Sequence, residues 1–193
     1  MQGITLPDAN ARGGIVLLSG RQRAGKTTLL LAVRHAAQAA GLTVGGMLSI
    51  ARFEGSEKVG IDVMDAGSGE QHPLAVYTPE PRGLIHVGRY TFDAAGLALG
   101  LAYARAGQAA DLFIVDEMGP LELSRGEGWA PVLPLICARR FGAALVVVRP
   151  DLLGAARAAL DLPADSPVIE LTPDNLASWT DRLAAWIAAR GRG

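Results

Sequence analysis

The chain has 193 residues, half of them hydrophobic, which suits one domain able to bury a sizeable core. A formal net charge of -1 and a pI of about 6.3, with no long basic run, exclude the overall basic surface that would make nucleic acid the first partner to consider. One cysteine, Cys137, excludes an internal disulfide and a cysteine metal cluster; it fits a reducing compartment and is expected to face the core from a helix.

Residues 1–13 are polar and turn-rich and read as a loose lead-in without the apolar core of a signal peptide. No later run approaches the ~18 apolar residues of a membrane span, so the expectation is a cytoplasmic protein with no membrane partner. The stretch Gly14 to Leu31, GIVLLSGRQRAGKTTLLL, then organises the chain: a short apolar run, a turn, and helix-forming residues. Gly20, Gly25, Lys26 and Thr27 match the G-x-x-x-x-G-K-[ST] spacing of a P-loop, and the strand before and helix after supply the context that the pattern needs. A phosphate chain has to be wrapped by converging backbone N–H groups, which only a side-chain-poor turn allows. The helix start adds unpaired N–H groups and partial positive charge, Lys26 can reach the outer phosphates, and Thr27 can offer a hydroxyl to Mg2+. A chance glycine turn would not explain a lysine here in a chain with only two, the other being Lys58. Arg21, Gln22 and Arg23 stand where many P-loops carry glycine or proline; they either reach toward phosphate or form a solvated loop face.

Helix-forming residues run from Lys26 to Ala40, with Leu29, Leu30, Val33, Ala36 and Ala37 lining one side and Gly41 as a stop. Thr43 to Ile50 and Lys58 to Asp65 read as strands with a turn at Gly55, a hairpin-like insertion beside the sheet. Gln71 to Gly88 reads as loop with short strand pieces, and its His72 and His86 lack metal-ligand spacing. Phe92 to Ala106 is expected to be helical, capped by Thr91 or Asp93 and stopped at Gly107. In DLFIVDEMGPLELS, Asp111 to Ser124, the apolar run Leu112 to Val115 reads as a strand buried on both faces and ends in Asp116 and Glu117. Trp129 to Arg140 suits a helix, Ala143 to Val148 a buried strand, Asp151 to Leu160 a short helix, Val168 to Leu171 a last strand and Asp174 to Arg190 an amphipathic helix. Trp129, Trp179 and Trp186 read as packing residues within these helices. The alternation predicts an α/β domain with a mostly parallel central sheet, helices on both faces and a small hairpin insertion, spanning 1–193 as one unit.

Ligands bind at the ends of such strands. Asp116 can hold Mg2+ together with Thr27 against the outer phosphates, and Glu117 can orient and polarise a water for in-line attack at the γ-phosphate. Glu117 and Lys26 are therefore the catalytic candidates, Thr27 and Asp116 the metal candidates, and Gly20, Gly25, Lys26 and Thr27 the phosphate-binding candidates.

The long interval from Lys26 to Asp116, with a glutamate after the aspartate, resembles the additional-strand, catalytic-glutamate division of P-loop NTPases. VDEMGPLEL (Val115 to Leu123), VGRY (Val87 to Tyr90), Gly60 and VIELTPDN (Val168 to Asn175) make the likeness specific. They are similar to segments of the thermophile-type nucleoside-triphosphatase family, which includes the cancer-related nucleoside-triphosphatase. The resemblance runs from about Val16 to Asn175. It implies a three-layer P-loop NTPase fold, Mg2+ as cofactor, and slow hydrolysis of several nucleoside triphosphates to diphosphate and phosphate. It implies that Arg21, Gln22, Arg23, Ala24 and Thr28 complete the phosphate cradle. It places Glu122 at the family's second acid and Asn175 near the base; a surface or N-cap contact for Glu122 and helix capping for Asn175 are the competing readings. The chain departs from the family in having no acid in LSIAR (Leu48 to Arg52) and Leu176 in place of an arginine. Arg89, Arg125 and Arg149 are candidates for stabilising transition-state charge, Arg89 first because it lies in VGRY.

Three readings follow: a Mg2+-dependent nucleoside-triphosphatase of broad base tolerance, a small-molecule or cofactor kinase, and a nucleotide-gated switch that acts with a protein partner. Glu117 favours the first, while an added phosphate acceptor or an activating partner would distinguish the others.

Overall fold

Alternation of side chains along the central strands explains the layering. In the computed structural model, which describes residues 4–80 and 85–191, Leu112 and Ile114 pack into one apolar cluster and Phe113 and Val115 into another on the opposite face. Residues of a strand that point alternately to two buried faces require helices on both sides.

The elements are β1 (Gly14–Ser19), α1 (Lys26–Ala39), β2 (Val44–Glu54), β3 (Glu57–Asp65), β4 (Gln71–Tyr77), β5 (His86–Val87), β6 (Tyr90–Phe92) and α2 (Ala94–Gly107). There follow β7 (Leu112–Met118), α3 (Pro120–Leu123), α4 (Leu133–Cys137), β8 (Ala143–Val148), α5 (Leu153–Ala159), β9 (Val168–Glu170) and α6 (Leu176–Arg190). One sheet runs in the order β5-β6-β4-β3-β2-β7-β8-β1-β9. From β2 to β9 the pairings are parallel, whereas β3, β4, β6 and β5 extend the same sheet as an antiparallel wing. The sheet is thus mixed, and the hairpin expected beside it is part of it.

One cluster joins Leu29, Leu30 and Val33 of α1 with Trp179, Leu183 and Ile187 of α6; the other joins Leu97 and Ala104 of α2 with Trp129, Val132, Ile136 and Ala156. Asp93 accepts the Gly96 N–H at 2.8 Å and caps α2, which settles the choice between it and Thr91.

Four local expectations are corrected. The helix expected over Trp129 to Arg140 is broken into a 3-10 turn, Ala130–Val132, and the short α4, because Pro131 and Pro134 each remove a helix donor and sit at the start of a new turn. Cys137 is exposed rather than core-facing, its thiol 3.5 Å from the Ala159 carbonyl oxygen. The proline-marked stretch after Gln71 contains a seven-residue strand, with Pro73 at the irregularity opposite Ile61 and Asp62 that tolerates its missing N–H; residues 81–84 of that expected loop lie outside the described residues. The lead-in is docked from residue 4 onward, residues 1–3 lying outside the described residues: Trp186 Nε1 donates to the Pro7 carbonyl at 2.8 Å, Arg182 to Ile4 at 3.2 Å, and Arg190 to Asp8 and Ala11. No helix among the described residues is long and apolar enough to cross a membrane.

Candidate functional site

The loop between β1 and α1 owes its course to two glycines. Gly20 has φ +148° and a Cβ there would lie 2.4 Å from the Leu171 carbonyl oxygen; Gly25 has φ +92° and would press a Cβ to 2.7 Å from a Leu176 methyl. The β9–α6 connection is thereby brought flush against the loop, and the Leu171 N–H donates to the Ser19 carbonyl at 2.7 Å. Lys26 folds back across the loop, its Nζ donating to the carbonyls of Gly20 at 2.8 Å and Arg21 at 3.0 Å. Ala24 is buried, while Arg21, Gln22, Arg23 and Thr28 are exposed, Arg23 with a left-handed φ of 66°.

The second half of the site comes from the end of β7. Its ladder with β8 is irregular between Val115 and Met118, so Asp116 and Glu117 lie where regular pairing is interrupted. Thr27 Oγ1 donates to Asp116 Oδ2 at 2.9 Å, joining residues 89 positions apart, and Ser49 Oγ on β2 donates to the Asp116 carbonyl at 2.7 Å. Asp116 is only 3 % exposed. Burial, and then the neighbouring Glu117 charge, push its carboxyl up to about 7 against the opposing pull of Thr27 and Lys26. Glu117 is also pushed up by burial, while Lys26, Arg149 and Lys58 favour its charged form. Among the described residues no group of three His, Cys, Asp or Glu side chains could hold a metal by itself. One carboxylate and one hydroxyl are hard oxygen donors that fit Mg2+, which takes few protein ligands and completes its shell with phosphate oxygens and water.

Of the residues flagged in the sequence, the loop, Thr27, Asp116 and Glu117 converge. Glu122 does not join them as a free acid: it is 7 % exposed, its Oε2 accepts the Gly119 N–H at 2.9 Å and its Oε1 the Trp129 N–H at 3.1 Å. Its contact is the N-terminal turn of α3, as the capping reading required. Asn175 borders the P-loop through its neighbour Leu176, but its side chain does not cap α6; Oδ1 accepts the Thr172 N–H at 2.9 Å and Nδ2 donates to the Glu170 carbonyl at 3.0 Å. Of the three arginines, Arg149 is the one whose charge acts on Glu117. Arg89 donates to the Tyr77 hydroxyl at 2.9 Å, and Arg125 to the His86 carbonyl at 3.1 Å.

Sequence reading missed two residues. Ser49 lies in the segment noted only for lacking acids, and its hydroxyl holds the backbone carbonyl of Asp116. Lys58 lies on β3, partly buried, with its Nζ 4.9 Å from the centre of the Tyr90 ring, and it feels the charges of Glu117 and Asp116. Burial lowers its pKa, the two carboxylates oppose that, and Arg23 adds to it. Its one sequence signal was that it is the chain's other lysine.

The profile of a family described as NTPase matches residues 15–128. The nucleoside-triphosphatase THEP1 of Methanopyrus kandleri is 37% identical over 109 residues, 56% of this chain and 59% of that protein. The protein of the same name from Archaeoglobus fulgidus is 37% identical over 108 residues, 56% and 62% of the two chains. The matched region thus spans about three fifths of these two curated relatives. Two solved structures share the fold: a human cancer-related nucleoside triphosphatase, with TM-score 0.70 and 22% identity over 89% of this chain and 96% of that one, and THEP1 from Aquifex aeolicus, with TM-score 0.62 and 20% identity over 90% and 98%.

Proposed function

Since this chain belongs to that NTPase family, we propose that it is a Mg2+-dependent nucleoside-triphosphatase that hydrolyses ATP, GTP and other nucleoside triphosphates to the diphosphate and phosphate. The observation that carries the reading is the 2.9 Å hydrogen bond from Thr27 to Asp116, which sets a hydroxyl and a carboxylate side by side at the P-loop with Glu117 next in the chain. The names of the curated relatives support the same activity.

Residues 20–28 wrap the phosphates with backbone N–H groups, and the start of α1 adds its partial positive charge. Lys26 exchanges its two carbonyl partners for phosphate oxygens, so its charge is held ready at the loop before nucleotide arrives. Thr27 and Asp116 would hold Mg2+, which supplies charge neutralisation between the outer phosphates. Glu117 accepts a hydrogen bond from a water and takes its proton as the water oxygen attacks the γ-phosphorus. The burial that raises its pKa makes it a stronger base than a solvated carboxylate. Asn175 and the turn that it staples lie beside the P-loop, where a base would rest against the peptide edge of Glu170 to Thr172. Contacts of that kind tolerate several bases.

The test is phosphate release with each common nucleoside triphosphate, with and without Mg2+, for the native protein, Glu117→Gln and Lys26→Ala. Glu117→Gln should lower turnover by about 100-fold or more while still binding nucleotide, and Lys26→Ala should weaken binding as well. Nucleotide binding with no more phosphate release than Glu117→Gln shows would overturn the hydrolase reading.

A further inference from the structure

β7 leaves its ladders where the two carboxylates stand. Its pairs with β2 stop at Met47 with Val115, and its pairs with β8 pass from Val115 with Val146 to Met118 with Val148. Between those last two pairs β7 carries Asp116 and Glu117, whereas β8 carries Val147 alone. An extra residue of that kind interrupts the ladder and re-aims side chains, and the peptide groups within it need other partners.

Ser49 supplies one. Beyond its last pair with β7, β2 stays paired with β3, Ser49 opposite Val63, so the backbone of Ser49 is held from the far side. From there its partly buried hydroxyl donates to the Asp116 carbonyl at 2.7 Å. That carbonyl belongs to the peptide that joins Asp116 to Glu117, and a peptide group is a rigid plane. Fixing its oxygen constrains how the chain, and with it each side chain, leaves that plane. On one side Asp116 Oδ2 accepts from Thr27 Oγ1 at 2.9 Å. On the other, Glu117 Oε1 lies 3.9 Å from where a Cβ on Gly119 would stand. With Asp116 only 3 % exposed, bulk water is a poor substitute for the serine hydroxyl.

Resting on the nucleoside-triphosphatase reading, we propose that Ser49 is a positioning residue for hydrolysis: its hydroxyl holds the peptide between Asp116 and Glu117 in the orientation that aims the Glu117 carboxylate at the attacking water. It acts through that peptide, not on the nucleotide. Since the same peptide carries Asp116, the hydroxyl also keeps the metal carboxylate turned toward Thr27. β2 is the strand at which the antiparallel wing joins the parallel part of the sheet, so the wing's attachment bears on the reaction through one side chain.

The experiment compares the native protein with Ser49→Ala, Ser49→Val and Ser49→Thr, each also in the Glu117→Gln background. Ser49→Val and Ser49→Thr place side chains of the same branched shape, so the difference between them isolates the hydroxyl. The first readout is steady-state phosphate release, resolved into kcat and KM. Ser49→Ala and Ser49→Val should each lower kcat by about 10- to 100-fold with KM changed less than about threefold, and Ser49→Thr should stay within about threefold of native. In the Glu117→Gln background Ser49→Ala should lower the residual rate by less than about twofold, because the group that it aims is already gone. The second readout needs no turnover: the affinity of a fluorescent nucleoside diphosphate with and without Mg2+. Ser49→Ala and Ser49→Val should lose about 10-fold of the Mg2+-dependent gain and keep the metal-free affinity. Equal kcat in Ser49→Val and Ser49→Thr, or an undiminished loss in the Glu117→Gln background, overturns the proposal. Loss of metal-free affinity in Ser49→Val marks a general structural role and overturns it too. If the native protein releases no phosphate, the hydrolase reading fails by itself; the Mg2+-dependent gain then decides whether Ser49 sets the peptide, its loss in Ser49→Val but not Ser49→Thr supporting that hold and its persistence refuting it.

Discussion

Glu122 accepts the backbone N–H of Trp129 at 3.1 Å, and Trp129 in turn donates its indole N–H to the Leu97 carbonyl at 2.9 Å. The acid that stands five residues beyond Glu117 therefore links the turn after β7 to helix α2. Gly100 makes room for this, since a Cβ there would meet the Trp129 ring at 2.5 Å.

Glu122→Ala should consequently be a stability variant. It leaves two N–H groups, those of Gly119 and Trp129, without partners at a site that is 7 % exposed, and the expected loss is about 2–3 kcal/mol. Urea denaturation measures it. Diphosphate binding by the folded fraction should be unchanged, and a large loss of affinity at native stability would return Glu122 to the site.

Thr27→Ala should separate metal from nucleotide. The hydroxyl lies between the P-loop and Asp116, so its removal should reduce the Mg2+-dependent gain in nucleotide affinity by about 10- to 100-fold. Metal-free diphosphate binding should persist, because the cradle is backbone. Titrations with and without Mg2+ decide, and Thr27→Ser should behave as the native protein does.

Gly20→Ala tests the fit of the β9–α6 connection. The added methyl would lie 2.4 Å from a backbone oxygen at φ +148°, so neither side can yield cheaply. A cost of about 1–3 kcal/mol is expected, together with weaker nucleotide binding. Equal stability and affinity in the variant would show that the connection moves freely away from the loop.

Asp111 should give a pH signature. Its Oδ2 accepts both the Thr43 N–H at 2.9 Å and the Thr43 hydroxyl at 2.6 Å, and chiefly the latter holds its carboxyl below the ordinary 3.8. A carboxylate with a depressed folded-state pKa contributes stability above the unfolded value and loses it as pH falls through the folded one. Asp111→Asn should therefore cost about 1 kcal/mol at pH 7, a modest figure because solvent screens the pair. The difference should shrink below pH 3.8. Urea midpoints at pH 7 and pH 3 check this, and a gap that widens in acid would refute it.

What the amino-acid sequence alone determined was whatever depends on neighbours in the chain. The P-loop needs two glycines, a lysine and a threonine at set spacing because backbone N–H groups must converge on phosphate, and that need is legible as a string. The buried strand ending in Asp116 and Glu117 is legible for a similar reason: an apolar run can only be core, and acids at its end can only be at an edge. Alternation of such runs with helical stretches was enough for the layers.

Only the tertiary structure decided what depends on pairing between distant segments. Whether Glu122 faces the nucleotide or the Trp129 N–H turns on how the chain bends after β7, and the same string permits both. The lead-in looked loose because its polar residues carry no periodicity, yet its carbonyls are the partners of Arg182, Trp186 and Arg190 at the far end of the chain. Ser49 enters the site through the pairing of β2 with β7, and the pairing of β2 with β3 sets Lys58 opposite Phe53. Strand register and order set those distances, and register is a property of two segments together, which no single stretch encodes.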